Sequence, residues 1–130
     1  MNNESGAIIF QMRNDQPYFL LLQDAKTGFW RFSYGRNHSE ESFIESANRS
    51  IMEETNLRVN VDSTFVNVLS IDDTQITLFI AEVKPDVHVR LDDEKISGMG
   101  WFDYVTAKQY LSLISQKEAL NQVLVFVEKS

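Results

Sequence analysis

Cysteine is absent from the 130 residues. That excludes disulfides, thiolate metal sites and a cysteine nucleophile. Proline occurs only at Pro17 and Pro85, and neither lies in a Pro/Gly/Ser-rich stretch, so no linker divides the chain and a single domain over residues 1–130 is expected. Long apolar runs are also missing. None approaches the roughly 20 residues of a membrane-crossing helix. The opening MNNESGAIIF has no basic segment followed by a long apolar one, so no secretory signal is visible and a cytoplasmic address is expected. Positive charge is scarce: 12 Lys and Arg stand against 19 Asp and Glu, a net charge of −7. Nucleic-acid and anionic-membrane partners require a basic face, and the balance argues against both. It leaves room for a small anionic substrate held through a cation. Nothing in the sequence fixes the oligomeric state.

What is present fits an ordinary folded domain. The chain is 43% hydrophobic and 24% charged, which argues against disorder, and a chain of this size buries about two thirds of its unfolded surface.

The N-terminal third reads as strands. Ala7-Ile8-Ile9-Phe10 and residues 18–22 are apolar runs on either side of Asn14-Asp15-Gln16-Pro17, the pattern of a hairpin of buried strands. Residues 28–32 are aromatic and extended, and Ser33-Tyr34-Gly35 reads as a loop. Residues 42–56 form the clearest helix, with Ala47, Ile44 and Ile51 inside an arc of roughly 60° and Asn56 as a left-handed cap. Further strands are expected over residues 57–61, 65–71, 75–83, 87–91 and 99–102, with Asp72-Asp73 as a turn. Helices are expected after Asp103 and from about Lys117. This order suggests a mixed sheet with helices on its faces, an α/β fold.

The helix carries an unusual charge pattern. Between His38 and Leu57, Glu40, Glu41, Glu45, Glu53 and Glu54 face the single base Arg49, so this segment carries −4 of the −7. Glu53 and Glu54 lie in the last turn, where the helix dipole disfavours each acid by about 0.3–1 kcal/mol. Arg49 precedes Glu53 by four residues, the weaker order for a helical ion pair. Helix stability therefore does not account for the paired acids. A bound divalent cation does, since Mg²⁺ takes carboxylate and phosphate oxygens. The plainer alternative is a solvated acidic face.

The order of residues from Gly35 to Leu57 resembles the Nudix box, G-x5-E-x7-R-E-U-x-E-E-x-G-U, where U is a bulky aliphatic. Gly35, Glu41, Arg49, Ile51, Glu53, Glu54 and Leu57 match seven of its nine specified positions. The flanks Gly6 to Phe10, Phe19 to Gln23, Gly28-Phe29-Trp30 and Trp101-Phe102 are similar to the branch of this MutT-like family that cleaves diadenosine tetraphosphate asymmetrically, though far less specifically than the box.

The resemblance implies an α/β/α sandwich with a mixed sheet and the box as loop-helix-loop. It also implies Mg²⁺- or Mn²⁺-dependent hydrolysis of a phosphoanhydride in a nucleoside diphosphate-linked substrate, with dinucleoside polyphosphates as the lead class. By the family pattern Glu53 and Glu54 are the metal ligands and Arg49 orients the carboxylates. Gly35 lets the loop approach closely, and Glu41 supports the loop and helix start.

Two box positions depart from the pattern. Asn56 replaces a glycine, which is mild. Ser50 replaces the first glutamate of R-E-U-x-E-E, the position of a metal ligand or general base, and a serine hydroxyl serves neither role well near neutral pH. Ser33-Tyr34 also stands where the diadenosine tetraphosphate branch has Pro-Lys, which removes a positive group near the phosphates. Glu94, in the acidic loop Asp92-Asp93-Glu94, is the candidate replacement base, against a plain solvated carboxylate. Glu45 either assists or forms a surface pair with Arg49. His38 and Tyr34 are candidate substrate contacts, while Trp30, Phe32 and His88 read as structural. The alternative to hydrolysis is a catalytically impaired nucleotide-binding or regulatory module.

Overall fold

The computed structural model describes residues 2–129. Its elements run β1 (Asn2–Arg13), β2 (Gln16–Asp24), β3 (Trp30–Arg31), β4 (Ser33–Arg36), α1 (Phe43–Thr55), β5 (Asp62–Ile71), β6 (Thr74–Glu82), β7 (Ile96–Phe102), α2 (Tyr104–Tyr110) and α3 (Ile114–Glu128).

The β1–β2 hairpin turns on Asn14 and Asp15, with φ of 51° and 66°. Two consecutive left-handed residues make the tight turn whose twist suits a two-residue hairpin, and Asn and Asp tolerate it. Gln16 and Pro17, read as part of the turn, already belong to β2 and face Arg13 and Met12. β1 lies parallel to β6, with Ala7 beside Phe79, and β5 closes the edge antiparallel to β6 through the turn at Asp72. β1 is thus central and buried on both faces, which is why its middle is a continuous apolar run.

β1 and β2 pair directly only from Phe10↔Phe19 to Arg13↔Gln16. Beyond that they splay. β3 lies along β2 and β4 along β1 in the gap, while β7 takes the other edge of β2. Ser33-Tyr34-Gly35 is therefore a strand rather than a loop. Gly6 makes the pairing possible, because a Cβ there would collide with the Ser33 carbonyl and with Tyr34.

Alternate residues feed two cores. Ala7, Ile9, Leu20, Leu22, Phe79 and Ala81 meet Ala47 and Ile51 of α1. Ile8, Phe10, Phe19, Leu21, Leu78 and Ile80 meet Ala107 and Leu111 of α2 and Leu120 and Val123 of α3. The result is the α/β/α sandwich that the resemblance implied.

α1 starts with a capping box. The Ser42 hydroxyl accepts from the Glu45 N–H at 3.1 Å, and the Glu45 carboxylate accepts from the Ser42 N–H at 2.9 Å. It ends at Asn56 with φ 62°. Ala47 and Ile51 are buried, but Ile44, in the first turn, is 40% exposed. The buried arc extends instead to Ser46, Ser50 and Glu54. β3 and β4 supply the reason, since Arg31, Ser33 and Gly35 meet this polar side.

Residues 57–61 and 87–91, expected as strands, pair with no strand among the described residues. Their apolar side chains Val59, Val61, Val87, Val89 and Leu91 still pack on the α1 core. The second segment turns its backbone to the end of α1: the Arg90 N–H donates to the Thr55 carbonyl at 2.9 Å and the Asp92 N–H to the Glu54 carbonyl at 3.2 Å. Helix-terminal carbonyls without partners inside the helix take the bonds a sheet neighbour would have taken.

Candidate active site

β4 and α1 meet at Gly35 and Ser50. A Cβ on Gly35 would stand 2.7 Å from the Ser50 hydroxyl oxygen, so only glycine allows this approach. Beside the contact opens a cavity of about 300 Å³. Tyr34, Gly35, His38, Arg49, Ser50, Glu53 and Glu54 all line it, so the box residues singled out in the sequence converge on one space. Glu94 does not line it. Its exposed turn instead delivers the neighbouring Lys95. Glu4 of β1 and Arg36 of β4, which the sequence did not single out, complete the lining and are paired across the strands.

Arg49 ties the loop to the helix. Its Nε donates to Glu41 Oε2 at 2.7 Å and its Nη2 to Glu41 Oε1 at 3.0 Å and to the Arg36 carbonyl at 2.7 Å. Nη1 reaches Glu53 Oε1 at 2.7 Å. Glu41 Oε1 also accepts from the Ser46 hydroxyl at 2.7 Å and the His38 N–H at 3.2 Å. The Arg49 hydrogen bonds, then that from Ser46, pull the Glu41 carboxyl down to about 2. Glu45 is committed to the helix cap and not to Arg49.

Glu54 is held on the opposite side. Arg31 of β3 donates from Nη2 to Oε2 at 2.7 Å and from Nη1 to Oε1 at 3.2 Å, and the Ser33 hydroxyl adds a bond to Oε1 at 2.9 Å. The Arg31 and Glu54 side chains are 11% and 5% exposed. Asp24 accepts from Arg31 Nε at 3.1 Å, and the Tyr34 ring lies 4.9 Å from the guanidinium carbon. Burial opposes the Arg31 charge, but the Glu54 bonds outweigh it and hold the guanidinium protonated. Burial also pushes the Tyr34 hydroxyl up to about 12 and raises the Glu4 carboxyl above its ordinary value. The sequence signal for Arg31 was one charge inside an aromatic run. Trp30 packs edge-on against Phe102 and Tyr110, and Phe32 is fully buried, so both belong to the core. His88 does not line the cavity.

The fold and site together define a domain that gathers acids and bases of one strand–helix junction around a single cavity. The model of the NUDIX domain matches residues 2–122, and the chain belongs to the Nudix family of pyrophosphohydrolases, enzymes acting on acid anhydrides. The structure is similar to an Ap4A hydrolase of C. elegans in a binary complex, with a TM-score of 0.91, 16% identity and all of both chains covered. It is similar to the E. coli dihydroneopterin triphosphate pyrophosphohydrolase, with a TM-score of 0.79, 15% identity and coverage of 95% of this chain and 94% of that one. The NUDIX domain of Shewanella oneidensis NrtR complexed with ADP ribose follows at a TM-score of 0.70 and 14% identity, over 95% of this chain and 86% of that one. At such identities the likeness is one of fold.

Nudix hydrolases generally use a divalent metal ion. The side chains as arranged do not fit one shared by Glu53 and Glu54. Both Glu54 oxygens are taken by Arg31 and Ser33. One Glu53 oxygen is taken by Arg49, and position 50 offers a buried hydroxyl in place of a carboxylate. Among the described residues no group of three or more Asp, Glu or His converges as a ligand set. Among the described residues no helix is long and apolar enough to cross a membrane.

Proposed function

We propose that this chain hydrolyses a phosphoanhydride bond in a nucleoside diphosphate-linked compound, with dinucleoside polyphosphates as the lead class. One observation carries the reading: Arg36 and Lys95, exposed cations that form no ion pair among the described residues, share the cavity with the carboxylates Glu4 and Glu53. The cations hold phosphate oxygens, and a carboxylate receives the proton of the attacking water. Water attacks phosphorus, the bridging P–O bond breaks, and the leaving phosphate departs with the bond's electrons. Glu4 is the better base than Glu94, since it lines the cavity, accepts no side-chain hydrogen bond among the described residues and has its proton affinity raised by burial. Glu53 keeps its second oxygen unbonded and supports the water. Tyr34, His38 and Gly35 border the bound phosphates, and Glu54 anchors β3 to α1. The name of the C. elegans neighbour, an Ap4A hydrolase, supports the substrate class.

The test is product release from a nucleotide panel with Mg²⁺, Mn²⁺ or chelator. Wild type is expected to release product, and Glu4→Gln to slow it by about 10²–10⁴-fold. No release above buffer at high enzyme concentration sinks the hydrolase reading. A second reading, nucleotide binding without turnover, is favoured by Ser50, whose buried hydroxyl replaces the box carboxylate. Calorimetric binding without release, together with activity gained in Ser50→Glu, supports it.

A further inference from the structure

Arg31 commits four hydrogen bonds: two to Glu54, one to Asp24 and one to the Phe32 carbonyl at 2.9 Å. A guanidinium cannot lose its proton in a protein, so it is a permanent counterion, and its fork matches a carboxylate with two bonds. A divalent ion at Glu54 would have to displace it from a nearly closed site.

The cavity charges are correspondingly unlike those of a metal cage. Glu4, Glu53 and Glu54 are balanced there by Arg36, Arg49 and Lys95. Arg31, behind Glu54, holds that carboxylate, and Asp24 accepts from the same guanidinium. Arg36 and Lys95 are exposed and form no ion pair among the described residues, so both retain free donors beside the cavity. They also restore the positive charge that is missing at Tyr34, where the resemblance leads one to expect lysine.

We propose that this site binds a di- or polyphosphate directly, without a divalent cation. Arg31 takes the cation's place at Glu54, and Arg36 and Lys95 grip the phosphate oxygens. The inference rests on the reading of the cavity as the nucleotide phosphate site and adds the means of recognition.

The experiment is calorimetric titration of the full chain with inorganic pyrophosphate, in chelator and without it, alongside a Mn²⁺ titration followed by electron paramagnetic resonance. Pyrophosphate binding is expected to persist in chelator. Arg36→Ala and Lys95→Ala, both at exposed positions, are each expected to weaken it about tenfold or more. Wild type is expected to leave Mn²⁺ free, and Arg31→Gln to gain a Mn²⁺ site by releasing Glu54. Should Arg31→Gln fail to fold, the wild-type Mn²⁺ titration and the two surface variants still decide. Loss of pyrophosphate binding in chelator, or tight stoichiometric Mn²⁺ binding by wild type, overturns the inference while leaving metal-assisted hydrolysis standing. Chelator-resistant pyrophosphate binding with no product release in any condition sinks the hydrolase reading and leaves the phosphate site.

Discussion

The Ser50 hydroxyl faces the Cα of Gly35 so closely that a Cβ there would stand 2.7 Å from its oxygen, and that hydroxyl is buried without a hydrogen-bond partner among the described residues. A buried polar group left unpaired costs about 1–3 kcal/mol. Ser50→Ala is therefore expected to stabilise the protein by on the order of 1 kcal/mol. Gly35→Ala is expected to cost about 1–3 kcal/mol by overpacking, with partial recovery when combined with Ser50→Ala. Urea denaturation midpoints at constant slope check both, and a Ser50→Ala variant weaker than wild type contradicts the account.

Breaking the Arg31–Glu54 pair from one side leaves a buried carboxylate uncompensated. Arg31→Gln is expected to cost about 3–5 kcal/mol, whereas Arg31→Met combined with Glu54→Leu regains most of the loss. Equal losses for the single and double variants in thermal unfolding would show that the pair is not the reason for the cost.

Glu41 gives a pH signature. Its folded value of about 2 lies below the ordinary 4.5, chiefly through the Arg49 hydrogen bonds. The charged form is favoured by folding, so the stabilisation is complete above the unfolded value and disappears as pH falls through the folded one. The advantage of wild type over Glu41→Gln is expected to be constant above pH 4.5 and to shrink towards pH 2. Thermal melts across that range measure it, and an advantage that grows on acidification would contradict the assignment.

The α1 cap separates backbone from side-chain effects. Asn56 has φ 62°, which glycine adopts freely and alanine does not. Asn56→Gly is expected to stay close to wild type, and Asn56→Ala to lose about 1–2 kcal/mol. Chemical denaturation of the two variants side by side distinguishes them, and similar losses in both would point to the Asn56 side chain rather than its conformation.

The α1 cap, the hairpin and the box were legible in the sequence because each is a local pattern. Asn14-Asp15 between two apolar runs, Asn56 closing the apolar arc of residues 42–56, and the spacing from Gly35 to Leu57 all depend on neighbours a few residues away. Residues 87–91 show the limit. Their alternation correctly marked one buried side, but alternation does not say whether the backbone meets a strand or the carbonyl end of a helix. Ser33-Tyr34-Gly35 was misjudged for a related reason: its strand exists only because Gly6, far away in sequence, lets β1 and β4 come together.

The sequence by itself determined the α/β class, the helix with its Asn56 cap, and the box residues Arg49, Glu53 and Glu54 that line the cavity. Only the tertiary structure decided how those charges are used. Arg31 reaches Glu54 from 23 residues away, and Glu4 and Lys95 reach the cavity from widely separated parts of the chain. Charge partners are chosen by distance in space, and in a sheet whose first two strands splay apart that distance is set by the pairing of strands and not by the order of residues.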